Sequence, residues 1–514
     1  MNLPGIHADL VRLPGVLPVW RGVVDATGWQ VAAGTIAKSG GRLVALWASD
    51  RGDSRGAAVG AAYASASGLV WLELPLAPAD PRYPDLSAVF PAAGRMQRAA
   101  FDLSGVRADG AADQRPWLNH GAWPADHFPL RDRAAPAAGQ LTDYPFVRVE
   151  GDGVHEIAVG PVHAGTIEPG HFRLSVVGEK VLRLEARLGY THKGIEKRFT
   201  QLAPLEGHRL AGRVSGDTTV AYAWAYCMAL ESAANCQVPA RAQWLRALML
   251  ERERVANHLG DLGAIGNDAA LGVALAQFSR LKEDWLRLSM DLFGHRFMMD
   301  CVVPGGVAGD IDAAGAARLA QQCDAIEGEL LSLRAIYDEH AGLQDRFAGT
   351  GRVRAELAVR LGLTGLAARA SGQSGDLRHD QPWPPYDGLA VKVATHAAGD
   401  VAARVTVRFD EAFESLRLIR AIASGLPDGT TRSDVLLRQD EAFGVGWVEG
   451  WRGEVLVALE LDAQGAGVRV RRCHCHDPSW QNWPVIEHAV IGNIVPDFPL
   501  INKSFNLSYS GQDL

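Results

Sequence analysis

Between Thr218 and Ala234 the chain sets Val220, Trp224, Met228 and Leu230 among alanines, tyrosines and a cysteine, so a helix built here is apolar on nearly every face. Such a helix cannot lie on a surface; it has to run through a domain with protein on all sides. Ser215, Gly216 and Asp217, just before it, are capping residues by type. The next segment, 241–262, places Leu245, Leu248, Val255, Leu259 and Leu262 at helical spacing, with Glu251, Arg254 and His258 on another face. Further long helices are predicted at about 270–295, 311–345 and 400–424, with no internal repeat. This half of the chain therefore reads as a helical bundle.

Strand-like segments flank the bundle. Residues 172–177 and 181–188 alternate around the turn Gly178-Glu179, predicting a hairpin. Alternation returns at about 444–472. Upstream, 15–105 reads as mixed α/β, with strands over 42–47 and 68–74, and Ala134 to Gly139 (AAPAAG) reads as a linker. The expected fold class is α+β: a small α/β domain over 1–138, then a mainly α-helical domain over 139–514 with peripheral β-hairpins.

Composition removes several function classes. A net charge of -8 without long like-charge runs does not suit nucleic acid or an anionic lipid surface, both of which call for a basic patch. No apolar run approaches the roughly 18 to 20 residues of a membrane span, and residues 1–20 lack the basic start and apolar stretch of a secretory signal. Six cysteines in 514 residues do not form a disulfide framework. The expectation is a reducing, cytoplasmic location, with any membrane link made through partner subunits.

Two motifs stand out. Lys193-Gly194-Ile195-Glu196 is followed after sixteen residues by Arg213-Val214-Ser215-Gly216-Asp217-Thr218, and near the other end Asp497-Phe498-Pro499-Leu500-Ile501 introduces Ser508-Tyr509-Ser510-Gly511. They resemble the two signatures of NiFe hydrogenase large subunits. There a basic residue, Gly, any residue and Glu precede, at this same spacing, Arg, any residue and a Cys-x-x-Cys pair; a second such pair stands near the C-terminus. Gly160-Pro161-Val162-His163, Asn257 to Asp261, Pro304 to Val307, Ala370-Ser371-Gly372 with Asp376 and Arg378, and Asp477 to Trp483 extend the likeness over about 150–514. The N-terminal region, in Met96 to Leu103 and Trp123 to Asp132, resembles the small α/β subunit that partners the hydrogenase-like subunit of respiratory complex I. In the formate-hydrogenlyase type of energy-converting, membrane-bound NiFe hydrogenase the two are fused, as they are here.

The resemblance implies where a nickel-iron centre would sit, and the residues there change its meaning. Such a centre needs four soft thiolates; Ser215, Thr218 and Ser508 offer hydroxyls and Gly511 no side chain. Hydrogen turnover by this chain is therefore not expected. The quinone pocket of complex I uses a His in the hairpin loop and a Tyr in place of the first Cys pair. Here Pro169 takes the His position, with His163 and His171 nearby, and Gly216 takes the Tyr position. The likeness is strongest to the hydrogenase-related complexes that lack the NiFe ligands. It implies a small iron-sulfur subunit and membrane antiporter-like and quinone-module-like subunits as partners. No cofactor is expected on this chain itself; an iron-sulfur cluster would sit on the partner, and quinone is a candidate ligand. The candidate cavity lining is Ser215, Thr218, Ser508, Gly511, His163 and His171, and the candidate cavity charges are Glu196, Arg213, Asp376 and Arg378.

Each candidate has a plainer reading. Glu196 relays protons in the resembling family, and Arg213 and Arg378 would hold a polar ligand; alternatively all three belong to buried ion pairs, and both readings predict pairing. His258, with Glu251 and Arg254, reads as a hydrogen-bonded structural His rather than a relay. In Cys473-His474-Cys475-His476 the cysteines and histidines of a strand point to opposite sides, which disfavours one tetrahedral metal site. Ser215 and Ser508 lack an identifiable activating base and read as capping or cavity-lining residues rather than nucleophiles. Two functions follow: the peripheral-arm subunit of a membrane-bound, ion-translocating oxidoreductase complex of hydrogenase or NADH-quinone oxidoreductase type, or a scaffold coupling an antiporter-like complex without redox chemistry.

Overall fold

The strands β1 (Val11–Arg12), β2 (Val19–Val23), β3 (Arg42–Asp50), β4 (Ala57–Ser65) and β5 (Gly68–Leu76) form one sheet in the order β1-β2-β5-β4-β3, with only β2 and β5 parallel. This computed structural model describes residues 9–52, 55–131, 137–141, 143–162, 167–464 and 467–514. Successive side chains of a strand point to opposite faces, and here both faces are covered. Leu43, Leu46, Tyr63 and Leu72 pack with the helices Ala26–Lys38 and Ala93–Ser104, whereas Val44, Trp47, Ala62 and Trp71 pack into the core of the helical domain. That is why β3 to β5 read as near-continuous apolar runs rather than alternating ones. Of the linker, 134–136 lie outside the described residues.

The central helix is Thr219–Ala234, buried from Thr219 to Ala233. It lies between the helix Ala240–Asp268 and a three-stranded antiparallel sheet of Ala442–Glu449, Glu454–Gln464 and Gly467–His476. Contact with the sheet is so close that a Cβ on Gly444 or Gly446 would fall 1.9 or 1.8 Å from the carbonyl oxygens of Ala229 and Ala225. The remaining long helices are Gly272–Phe293, Ala313–Glu339 and Val401–Gly425, close to the spans the periodicity predicts; 311–345 is broken at His340, which caps a second helix, Ala341–Phe347.

The predicted cap of the central helix is corrected. Ser215 and Asp217 do not cap it; Gly216–Thr218 form a 3-10 turn, and the N–H groups of Val220 and Ala221 donate to the buried carboxylate of Glu253 at 2.6 and 3.2 Å. A side chain from the next helix thus satisfies donors that a local cap would otherwise take. The predicted hairpin is His171–Val177 with Lys180–Arg187, joined on its other edge by Val154–Val159. Among the described residues no helix is long and apolar enough to cross a membrane.

Candidate functional site

The two motifs meet. The hydroxyls of Ser215 and Ser508 lie 2.9 Å apart, and the Ser215 hydroxyl also reaches Asp217 Oδ1 at 2.8 Å. Ser508 caps the terminal helix Tyr509–Asp513, its oxygen accepting from Gly511 N at 2.8 Å. Asp217 is held by Arg452, which also donates to Thr218 Oγ1 at 3.1 Å and lies 3.9 Å over the Trp451 ring. A Cβ on Gly511 would fall 2.4 Å from Asp477 Oδ2, an oxygen that accepts from Tyr222 at 2.8 Å. The predicted cavity between Ser215 and Ser508 is therefore corrected: the two hydroxyls touch, and the carboxylate of Asp477 fills the place of the fourth side chain.

Glu196 forms a second centre. It is buried, with Oε1 2.7 Å from His474 Nδ1 and Oε2 3.0 Å from Arg472. Burial pushes its pKa up, but Arg472 and His474 outweigh this and hold the carboxyl at about 2. As the strand reading requires, His474 and His476 share one side, with ring centroids 6.1 Å apart; Cys473 and Cys475 lie in the core that contains the central helix.

The third centre is a buried charge cluster around the helix Ala240–Asp268. Arg378 donates to Asp376 at 2.6 Å and to Glu251 at 3.0 Å; Glu251 also accepts from Tyr386 at 2.6 Å and Ser415 at 2.7 Å. Arg369 donates to Glu411 at 2.7 Å and to Glu449 at 2.9 Å, and His258 Nε2 lies 2.9 Å from Glu411. With Arg254, three guanidiniums face the four carboxylates Glu251, Asp376, Glu411 and Glu449, so one carboxylate is in excess. The excess falls on Glu449: burial and then the Asp376 charge push it up to about 7, while Arg378 and Arg369 overcome burial at Asp376 and hold it down. His258 is held below its usual value by burial. Glu449 and Asp376 also line an open cleft of about 1140 Å³ between the N-terminal sheet and the helical domain.

The candidate charges do not converge on one cavity, and that expectation is corrected. Glu196 pairs with Arg472 and His474, Asp376 with Arg378, and Arg213 forms an ion pair with Asp300 at 2.6 Å in which the side chains are 45% and 37% exposed. His171 is bound to the Gly160 carbonyl at 3.1 Å and beside Arg173, not to the serine pair. His163 lies outside the described residues. The sequence reading missed Arg452, Glu449, Glu411, Arg369 and Arg472. The first two belong to Glu449-Gly450-Trp451-Arg452-Gly453-Glu454, whose density of charge in an otherwise strand-like stretch was the available signal.

At the four positions matching the nickel-iron ligands the donor set is three hydroxyls and a glycine, and it does not fit a thiolate-held metal. The cysteines stand elsewhere; burial pushes the thiols of Cys301 and Cys323 up to about 11 and 12, away from the thiolate form. Among the described residues no group of three or more His, Cys, Asp or Glu is placed to hold a metal ion.

Residues 268–443 match the family of the respiratory-chain NADH dehydrogenase 49 Kd subunit, and residues 23–139 that of the 30 Kd subunit. The chain is 32% identical over 445 residues to formate hydrogenlyase subunit 5 of Escherichia coli (strain K12), covering 84% of this chain and 77% of that one. It is 31% identical over 353 residues to the carbon monoxide-induced hydrogenase of Rhodospirillum rubrum, covering 68% of this chain and 97% of that one. Its fold is similar to a chain in the structure of the membrane-bound sulfane sulfur reductase, an archaeal respiratory membrane complex. The TM-score is 0.66 at 25% identity, covering 70% of this chain and 99% of that one.

Proposed function

Because the chain belongs to the family of formate hydrogenlyase subunit 5 and the carbon monoxide-induced hydrogenase, with 30 Kd-like and 49 Kd-like parts in one chain, we propose that it is the peripheral-arm subunit of a membrane-bound, ion-translocating oxidoreductase complex. In this reading 1–138 is the small-subunit-like domain and 139–514 the large-subunit-like one. The chain docks on a small iron-sulfur subunit, which carries the cluster, and on antiporter-like and quinone-module-like membrane subunits at the cytoplasmic side.

The observation that carries the finer reading is the contact of Ser215 with Ser508 and of Gly511 with Asp477. Hydroxyls that stay protonated near neutral pH do not replace thiolates, so this subunit works without a nickel-iron centre of its own. Charge is what the region retains: Asp217 with Arg452, Glu196 with Arg472 and His474, and the cluster from Glu251 to Glu449. Their role is to hold and pass protons, or to relay a conformational change toward the membrane arm. The scaffold reading draws on the same contacts, since paired charges also serve packing.

Purification of the chain with the products of its neighbouring genes, followed by assays of nickel, iron, bound quinone and redox turnover on one sample, tests the proposal. Iron clusters on the partner and turnover without nickel support it. About one nickel per chain overturns it, and an assembled complex without redox turnover favours the scaffold.

A further inference from the structure

One small cavity is lined by three residues, His474, His476 and Trp480, each of which carries a buried nitrogen with no hydrogen-bond partner among the described residues: His474 Nε2, His476 Nδ1 and Trp480 Nε1. These residues are 6%, 0% and 3% exposed. The cavity lies between the strand Gly467–His476, β3 at Trp47 and the helix Ala93–Ser104 at Met96. Its volume is about 20 Å³, room for about one water molecule.

Neighbouring hydrogen bonds fix what each nitrogen offers. His474 Nδ1 faces the Glu196 carboxylate at 2.7 Å and must donate to it, which leaves Nε2 of the neutral ring as a lone pair. Gln481 spends its amide N–H on the Val44 carbonyl, so its oxygen accepts from His476 Nε2 at 2.9 Å, and His476 Nδ1 is also a lone pair. Trp480 Nε1 can only donate. Two acceptors and one donor around a water-sized space match a water that donates twice and accepts once, close to the usual three bonds of a buried water. The indole N–H disfavours a metal cation, and the two lone pairs disfavour an anion.

We propose that this cavity is a hydration site in which one ordered water, bonded to His474, His476 and Trp480, positions His474 so that it keeps its hydrogen bond to Glu196. The His474 ring is also held by the Trp47 ring, stacked on it with centroids 5.0 Å apart. The result is a continuous chain from Glu196 through His474, the water, His476 and Gln481 to the Val44 carbonyl of the N-terminal sheet. It ties the short helix Ile195–Phe199, which carries Glu196, to the small-subunit-like part of the chain. Burial holds both imidazoles below their usual pKa, His476 at about 3, in keeping with neutral rings. The charged and titratable groups around Glu196 are Arg472, His474 and Cys473 from the strand and His192 from the preceding loop.

A density map of the assembled complex, at a resolution that shows ordered waters, tests the site directly. One peak within hydrogen-bonding distance of all three nitrogens is expected; a dry cavity, or imidazoles turned onto protein partners, overturns it. The positioning role rests on the proposed function, because it needs the ionisation of Glu196 to count in turnover, whereas the map does not. For that arm, His476→Phe removes the lone pair while keeping ring volume. It should move the acid limb of the turnover profile to higher pH, since Glu196 loses the bond that helps keep it ionised, and His476→Asn, with an amide oxygen as acceptor, should restore it. A fall in rate that is equal at every pH in both variants overturns the positioning role and leaves the water site to be judged by the map alone.

Discussion

Ser508 Oγ lies 2.9 Å from Ser215 Oγ across a sequence separation of 293 residues. The contact closes the end of the chain onto the loop before the central helix. A main-chain bond from Lys193 N to Leu514 O at 3.0 Å, and bonds from the N–H groups of Gly189 and Thr191 to the Asp513 carboxylate, hold the same closure. The expected meeting of the two motifs is therefore met, but as a contact rather than across a cavity.

The purified chain is expected to hold no stoichiometric nickel, which elemental analysis checks. Three of the missing thiols could be restored at Ser215, Thr218 and Ser508, but the fourth position resists. Gly511→Cys brings a Cβ 2.4 Å from Asp477 Oδ2 and 2.9 Å from Ser508 Oγ, so it should cost about 1–3 kcal/mol of stability. Adding Asp477→Ala should recover part of that loss. An unchanged denaturation midpoint for Gly511→Cys would show that Asp477 moves aside freely.

Glu449 links stability to pH. In the folded chain it keeps its proton up to about 7, while the unfolded chain releases it near the ordinary glutamate value of 4.5. Between those values the native state binds more protons, so this group's contribution to stability falls as pH rises from 4.5 to about 7. Glu449→Gln has no proton to release. Its stability relative to the wild type should therefore rise across that window, by on the order of 3 kcal/mol at most, in denaturant titrations at several pH values.

Glu196 has the opposite sign. Its folded pKa is about 2 against 4.5 unfolded, so its stabilising contribution is present above 4.5 and is lost as pH falls toward 2. Glu196→Gln leaves Arg472 without its buried countercharge and should cost about 3 kcal/mol at neutral pH, with little dependence on acid. If Glu196 relays protons, a complex that still assembles with this variant should lose turnover. Full activity of that complex would favour the scaffold reading.

Two arginines near the motifs should behave differently. Arg213→Ala removes an exposed pair with Asp300 and should change stability by about 0.5 kcal/mol or less. Arg378→Ala takes the nearest countercharge from buried Asp376 and Glu251, leaving them Arg369 at 3.6 Å and Arg254 at 3.4 Å, and should cost about 3 kcal/mol. Thermal unfolding of the two variants side by side checks the contrast.

Periodicity made much of the fold legible. The unbroken apolar character of 218–234 demanded a buried helix, and the chain folds one there, because hydrophobic burial depends on local pattern and needs no knowledge of the partner. The hairpin around Gly178-Glu179 was legible for the same reason. The cap was not: Glu253 lies far along the chain from the donors of Val220 and Ala221, and only tertiary packing delivers it.

At the site, sequence alone determined chemical identity. That Ser215, Thr218, Ser508 and Gly511 carry no thiolate follows from the side chains themselves and holds in any fold. Only the tertiary structure decided which charges meet. Glu196 pairs with Arg472, 276 residues away, while Arg213, in the same motif region, turns to the surface. A buried charge must find a countercharge within a few ångströms or lose its ionised form. Which one it finds depends on how distant segments pack, and no spacing along the chain encodes that.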